Sequence, residues 1–240
     1  MTTTLIIGGS SGIGLATARL LVARGDEVHI AGRSAQRLDD ARLALGDAGT
    51  DVATHVVDAL DAAAVASLAA KRAPVGRLVL TLSGSEGAGR LAELDLAALR
   101  RAFDGKFWAH LTVLHAALPH LAENASITLL GAITARASMP GTAGLAAVNA
   151  AVEALVAPLA AELAPVRVNG VSPGYVDTPW WGMVPDADRR AFFDGVASEL
   201  PTRRIATADD VAEVVALVAT NPNLTGTVIE ADGGARLKAA

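Results

Sequence analysis

Residues 8–14 read Gly8-Gly9-Ser10-Ser11-Gly12-Ile13-Gly14, set between the apolar run Leu5-Ile6-Ile7 and a segment of helical period that starts at Ile13. Glycine tolerates φ > 0 and lets backbone approach backbone, as a tight strand-to-helix turn requires. Outward from this turn, short apolar runs alternate with helix-period segments. The runs at 4–8, 27–31, 53–57, 77–82, 126–131, 166–171 and 227–231 read as strands; 13–24, 35–45, 62–72, 96–121, 144–163 and 209–219 read as helices. This alternation predicts an α/β fold, a doubly wound parallel sheet of about seven strands with helices on both faces. The stretch from 173 to 204 departs from the pattern. It carries Pro173, Pro179, Pro185 and Pro201 with Trp180 and Trp181, and predicts an irregular, lid-like insertion over 175–203. No repeat, low-complexity tract or linker divides the chain, so residues 1–240 are expected to form one domain.

Composition narrows the function classes. The apolar fraction is 52%, much of it alanine, and no window reads as long enough to span a bilayer. Met1-Thr2-Thr3-Thr4 lacks a basic region, so no signal peptide is expected and the expected address is cytoplasmic. Without cysteine there is no disulfide, no thiolate nucleophile and no cysteine-ligated metal. A net charge of −5 argues against nucleic acid as a partner, although it leaves room for a local cationic pocket.

A glycine turn after a first strand and before a first helix suits a dinucleotide pyrophosphate. Backbone amides approach the phosphates, and the helix N-terminus adds free N–H groups and a positive dipole end. Gly8, Ser10, Ser11, Gly12, Ile13 and Gly14 are therefore candidate cofactor contacts in a Rossmann-type sheet; a tight turn without a ligand is the plainer alternative. The second strand ends Ala31-Gly32-Arg33-Ser34. A carboxylate there would mark NAD(H), whereas Arg33, with Ser34 beside it, suits the 2′-phosphate of NADP(H). NADP(H) is expected to be preferred over NAD(H). Asp58 is placed either to accept from the adenine amino group or to cap the following helix.

The spacing of Gly8, Gly12 and Gly14 resembles the glycine motif of the short-chain dehydrogenase/reductases. The likeness continues through Asp58, Thr81-Leu82-Ser83-Gly84, Ala150-Ala151-Val152, Val166-Arg167-Val168-Asn169, Ser172-Pro173-Gly174, Thr178, Arg204 and Asp232-Gly233-Gly234. The resemblance implies cofactor contacts at Ser83, Gly84, Pro173, Gly174, Val176 and Thr178, and a homodimer or homotetramer. It implies hydride transfer between a nicotinamide and a small carbonyl or alcohol, with a tyrosine, lysine, serine and asparagine as proton machinery. The same alignment places Leu145 at the tyrosine, Asn149 at the lysine, Ala132 (or Gly131) at the serine and Lys106 at the asparagine. All four are replaced.

Positioned acid–base groups are worth on the order of 100- to 10,000-fold in rate, so other residues must supply the chemistry if turnover occurs. Lys106, Tyr175 and Thr134 are the catalytic candidates, with Arg136 and Ser138 near Thr134. His110 reads as structural; His115 and His120 read as surface. No cluster has metal-ligand spacing. Trp180, Trp181 and Met183 suit stacking on an apolar ligand or burial against a second subunit. Three readings stay open. The chain is an oxidoreductase with replacement residues, a redox-silent NADP(H) sensor or binding subunit, or a non-redox enzyme using the same pocket with Lys106 as base.

Overall fold

The computed structural model describes residues 1–84 and 86–237. Its first strand, β1 (Thr3–Ile7), shows why the sheet must be covered twice. Successive side chains point to opposite faces of a strand. Leu5 and Ile7 accordingly join one core cluster, while Ile6, between them, joins the other. All three are buried, as expected of parallel strands enclosed on both sides.

The chain continues through α1 (Gly12–Ala23), β2 (Glu27–Gly32), α2 (Ala35–Ala44), β3 (Val52–Val56), α3 (Ala62–Lys71) and β4 (Val75–Leu80). Then come α4 (Leu96–Phe103), a π-helical turn (Asp104–Trp108), α5 (Ala109–Ala117), β5 (Leu121–Leu130), α6 (Ala143–Ala154) and α7 (Val156–Glu162). The last part holds β6 (Arg167–Pro173), β7 (Val176–Asp177), α8 (Asp186–Glu199), β8 (Ala206–Thr207), α9 (Ala208–Thr220) and β9 (Val228–Ala231).

Seven parallel strands form one sheet in the order β3-β2-β1-β4-β5-β6-β9, and β7 pairs with β8 apart from it. The expected doubly wound sheet is thus observed. Its winding reverses between β1 and β4, the switch point at which such sheets hold their ligand crevice, beyond the carboxyl ends of the strands. Gly8 follows β1 and Thr81 follows β4, so both stand at its floor.

Four expectations need correction. The stretch from 173 to 204 is not irregular: it contains α8, a 14-residue helix. Only Val196 of α8 is fully buried, with Phe193 and Ala197 part-buried beside it, so the inward stripe of the helix is short. The helix expected over 96–121 is interrupted by the π-helical turn at Asp104–Trp108. The one expected over 144–163 breaks at Leu155, three residues before Pro158, which lacks the N–H that an unbroken ladder needs. Finally, Ala143–Glu162 is long and apolar enough to cross a membrane by length and composition, contrary to the sequence reading. Here that segment packs Val148, Val152 and Val156 into the core.

Candidate active site

The glycine turn is shaped by its own packing. Gly8 leaves β1 at φ 95° and Gly12 opens α1 at φ 53°, both costly for a residue with a side chain. A Cβ on Gly8 would lie 2.8 Å from the Thr81 carbonyl oxygen, and one on Gly14 would run into the Gly8 carbonyl. Thr81 Oγ1 donates to the Ile7 carbonyl at 3.3 Å, which fastens the end of β4 to the turn. Ser11 stands at the α1 N-cap without a side-chain capping bond, and the first turn of α1 has no acidic residue. The first amides of α1 have no intrahelical acceptor and are suited to an anion. Ser10 packs beside Gly32, the last residue of β2. Ile13 accepts, through its carbonyl, from Thr17 Oγ1 at 2.8 Å.

Arg33 is exposed at the end of β2. Ser34 Oγ caps α2, accepting from the Arg37 N–H at 3.3 Å. Arg37 then reaches back and donates to Ser11 Oγ at 3.0 Å, joining α2 to the glycine turn. Arg37 was not foreseen; it lies in the first turn of α2, four residues beyond Arg33. The Arg37 guanidinium therefore stands beside the candidate phosphate-binding amides, and Arg33 stands exposed just after β2. Together with the bare glycine backbone, these residues fit a dinucleotide carrying an additional phosphate.

Asp58 is exposed just beyond β3, and its Oδ1 accepts from the Leu60 N–H at 3.0 Å. The α3 cap is Asp61, which accepts from the Ala64 N–H at 2.9 Å, so Asp58 itself is not the cap. Ser83 and Gly84 follow β4, and the Gly84 carbonyl accepts from the Trp180 indole N–H at 3.0 Å. Pro173 ends β6, and a Cβ on Gly174 would meet Asp232 at 2.7 Å. Val176 is buried in β7; Thr178 packs over Gly12, where an added Cβ would lie 3.3 Å from it. The segments on both sides of the crevice thus meet at Gly12 and Thr178.

Lys106 sits inside the π-helical turn and is only 7% exposed. A π-helical turn inserts an extra residue and re-aims the side chains around it, which is why such turns recur at functional sites. The ammonium donates to the Gly131 carbonyl at 3.1 Å and to Asn149 Oδ1 at 2.6 Å. Asn149 Nδ2 in turn donates to Thr134 Oγ1 and to the Leu145 carbonyl, each at 2.9 Å. Burial pushes Lys106 down to about 8, partly offset by the Glu153 carboxylate one helical turn beyond Asn149. His110 Nδ1 lies 2.8 Å from the Lys106 carbonyl, and burial, followed by the Lys106 charge, pushes the imidazole down to about 4. A neutral His110 donates there and holds the wide turn in place.

The structure joins Lys106 and Thr134 through Asn149, and the Tyr175 hydroxyl makes its described bond outside that line. Tyr175 packs edge-on to Phe192 of α8 at 5.9 Å, and its hydroxyl donates to Met139 Sδ at 3.2 Å. Trp180 and Trp181 lie 4.8 Å apart, Trp181 stacks toward Phe192 and Phe193, and Met183 is exposed. Arg136 bridges Glu153 at 2.9 Å and Glu230 at 3.0 Å, tying α6 to β9. Ser138 and His115 are exposed, whereas His120 is half-buried. Among the described residues no group of histidine and carboxylate side chains could hold a metal ion.

Fold and crevice define a dinucleotide-binding α/β protein. Residues 8–236 match the family profile described as enoyl-(acyl carrier protein) reductase. The cis-4-hydroxycyclohexanecarboxylate dehydrogenase of Sinomonas cyclohexanicum is 36% identical over 96% of this chain and 94% of its own length. A short-chain dehydrogenase/reductase of Malbranchea aurantiaca is 31% identical over 98% of this chain and 94% of its own. A crystal structure of a small-chain dehydrogenase in complex with NADPH covers 99% of both chains at 32% identity and TM-score 0.85. The NADPH-bound short-chain oxidoreductase of Pseudomonas aeruginosa PAO1, described as containing an atypical catalytic center, is 29% identical with TM-score 0.89; the match covers 99% of this chain and 98% of that one. This chain belongs to the short-chain dehydrogenase/reductase family.

Proposed function

We propose that the protein is an NADP(H)-dependent oxidoreductase acting on a small apolar carbonyl or alcohol, with Lys106, Asn149 and Thr134 in place of the family's usual proton machinery. The observation that carries this reading is the unbroken line from the Lys106 ammonium through Asn149 to Thr134, which ends at the carboxyl edge of the sheet. A bound reduced nicotinamide would supply the hydride. This chain's part is to hold the cofactor through the α1 amides, Arg33 and Arg37, and to offer a polarised donor where carbonyl charge develops. The NADPH-bound relatives and the P. aeruginosa protein with its atypical centre support both halves of the reading.

NADPH titration followed by NADPH oxidation over a panel of small aliphatic and alicyclic ketones and aldehydes tests it. Micromolar binding with turnover of at least one carbonyl is expected; no binding of NADPH would overturn it. One observation favours the redox-silent binder as the second reading: Leu145 carries no proton to give. Tight NADPH binding without turnover on the whole panel would select that reading. The third, non-redox reading is disfavoured, because both bonds of the Lys106 ammonium run inward.

Self-association is proposed as well. Leu96, Leu99, Phe103 and Trp108 line an open groove of about 380 Å³ that also holds Arg100 and Asp104. Leu96 and Trp108 are each at least half exposed. A second copy related by a two-fold axis would cover this apolar face and set Arg100 against the partner's Asp104.

A further inference from the structure

We propose that Thr134 is the residue that holds the substrate's carbonyl oxygen, and that Lys106 and Asn149 are positioning residues that fix its hydroxyl as an outward donor. The inference rests on the oxidoreductase reading and adds a direction to every bond in the line.

An ammonium has donors and no acceptor. The group facing Lys106 at 2.6 Å must therefore be the Asn149 oxygen, not its nitrogen. The amide nitrogen then carries two hydrogens, and both are used, one toward Thr134 Oγ1 and one toward the Leu145 carbonyl. Thr134 Oγ1 receives one of them and keeps its own hydrogen, which no described residue accepts. Thr134 lies half-buried in the short turn Ile133–Ala135 directly after β5, on the carboxyl edge that also carries the glycine turn. Only the mutual bonds of Lys106, Asn149 and Thr134 give the hydroxyl a direction.

The chemistry this supports is balanced without a further reagent. Hydride from a bound reduced nicotinamide forms the new C–H bond at the carbonyl carbon. The C=O π pair moves to oxygen, the cofactor is oxidised and the carbonyl reduced. The alkoxide takes its proton from water. Thr134 keeps its proton and donates a hydrogen bond to the oxygen as charge gathers there. Consecutive hydrogen bonds polarise one another, so the Lys106 charge is felt at the far end of the line.

The test loads the protein with NADP+, which cannot reduce a carbonyl, and adds 4-(dimethylamino)cinnamaldehyde. The absorption of this aldehyde moves to longer wavelength when its oxygen accepts a hydrogen bond. Wild type is expected to give the red shift, Thr134→Val to lose it and Thr134→Ser to keep it. Asn149→Asp is the decisive variant. A carboxylate there accepts from both Lys106 and Thr134, turning the hydroxyl inward, so the shift disappears although the new ion pair should hold the fold. With reducible carbonyls and NADPH, kcat/KM of Thr134→Val should fall about 10- to 150-fold, the range of a hydrogen bond to a charged group. A red shift that survives Thr134→Val, or one unchanged in Asn149→Asp, overturns the proposal, as does no shift in a wild type that saturates with NADP+. A wild type that binds neither cofactor form overturns the oxidoreductase reading, and this proposal with it.

Discussion

Nζ of Lys106 lies 2.6 Å from Oδ1 of Asn149, joining the π-helical turn before α5 to the middle of α6. The sequence resemblance aligns these two residues with the family's asparagine and lysine, and the structure brings their side chains together. A lysine introduced at 149 would bring a second ammonium into the same buried space.

The first prediction follows from that contact. Leu145→Tyr with Asn149→Lys should destabilise the fold by on the order of 3–5 kcal/mol, as uncompensated buried charge does. Adding Lys106→Asn restores one cation and one amide, and should return the melting temperature close to that of wild type. Only the triple variant is expected to reduce small ketones faster than wild type. A double variant as stable as wild type would mean that Lys106 and residue 149 do not share one space.

Lys106 also ties stability to pH. Burial holds it near 8 in the folded protein, while an unfolded chain keeps that proton to about 10.4. Between these values the unfolded state binds more protons, so stability rises with pH across the window and is lost as pH falls through 8. The charged groups near it are Glu153 of α6, already bonded to Arg136, and His110 of α5, neutral above about 4. Urea unfolding of wild type and Lys106→Met at pH 7 and pH 10 should show wild type gaining relative to the variant at the higher pH. A difference between the two proteins that does not change with pH would contradict this.

Cofactor choice should depend on both arginines. Arg33→Ala is expected to weaken NADPH binding about 10- to 150-fold while leaving NADH nearly unchanged. Arg37→Ala should act in the same direction and also release Ser11, to which Arg37 donates at 3.0 Å. Quenching of tryptophan fluorescence by each cofactor measures the two affinities. Equal loss of NADPH and NADH in Arg33→Ala would separate Arg33 from the 2′-phosphate.

Trp108, half exposed in the groove beside α4, reports on self-association. Trp108→Glu should move the protein toward monomer in sedimentation velocity, with its far-ultraviolet spectrum intact. Reversing Arg100→Asp alone should weaken association, and adding Asp104→Arg should recover it by exchanging the charges across the two-fold axis. Wild type sedimenting as a monomer at all concentrations would remove the proposed interface.

Much of the sheet that carries the candidate cofactor site was legible in the linear chain. The seven strands were found within a few residues of their observed limits, apart from the early start of β5 at Leu121. Arg33 and Ser34 could be placed because they follow a strand end directly. Arg37 was missed because its role depends on α2 turning it back toward Ser11. Helix α8 was missed because its inward stripe, Phe193, Val196 and Ala197, is short and lies between Pro185 and Pro201.

Sequence by itself determined the doubly wound sheet and the glycine turn, because both rest on local periodicity and on backbone freedom at single residues. From the resemblance alone it led to the expectation that Lys106, Ala132, Leu145 and Asn149 stand at the positions of the family's proton machinery. The tertiary structure alone decided that Lys106 faces Asn149, that Asn149 faces Thr134 and that the Tyr175 hydroxyl bonds Met139. Lys106 and Asn149 are 43 positions apart in the chain, and a π-helical turn sets the direction of the first. The direction of a hydrogen-bond line depends on which buried groups meet, and only packing brings them together.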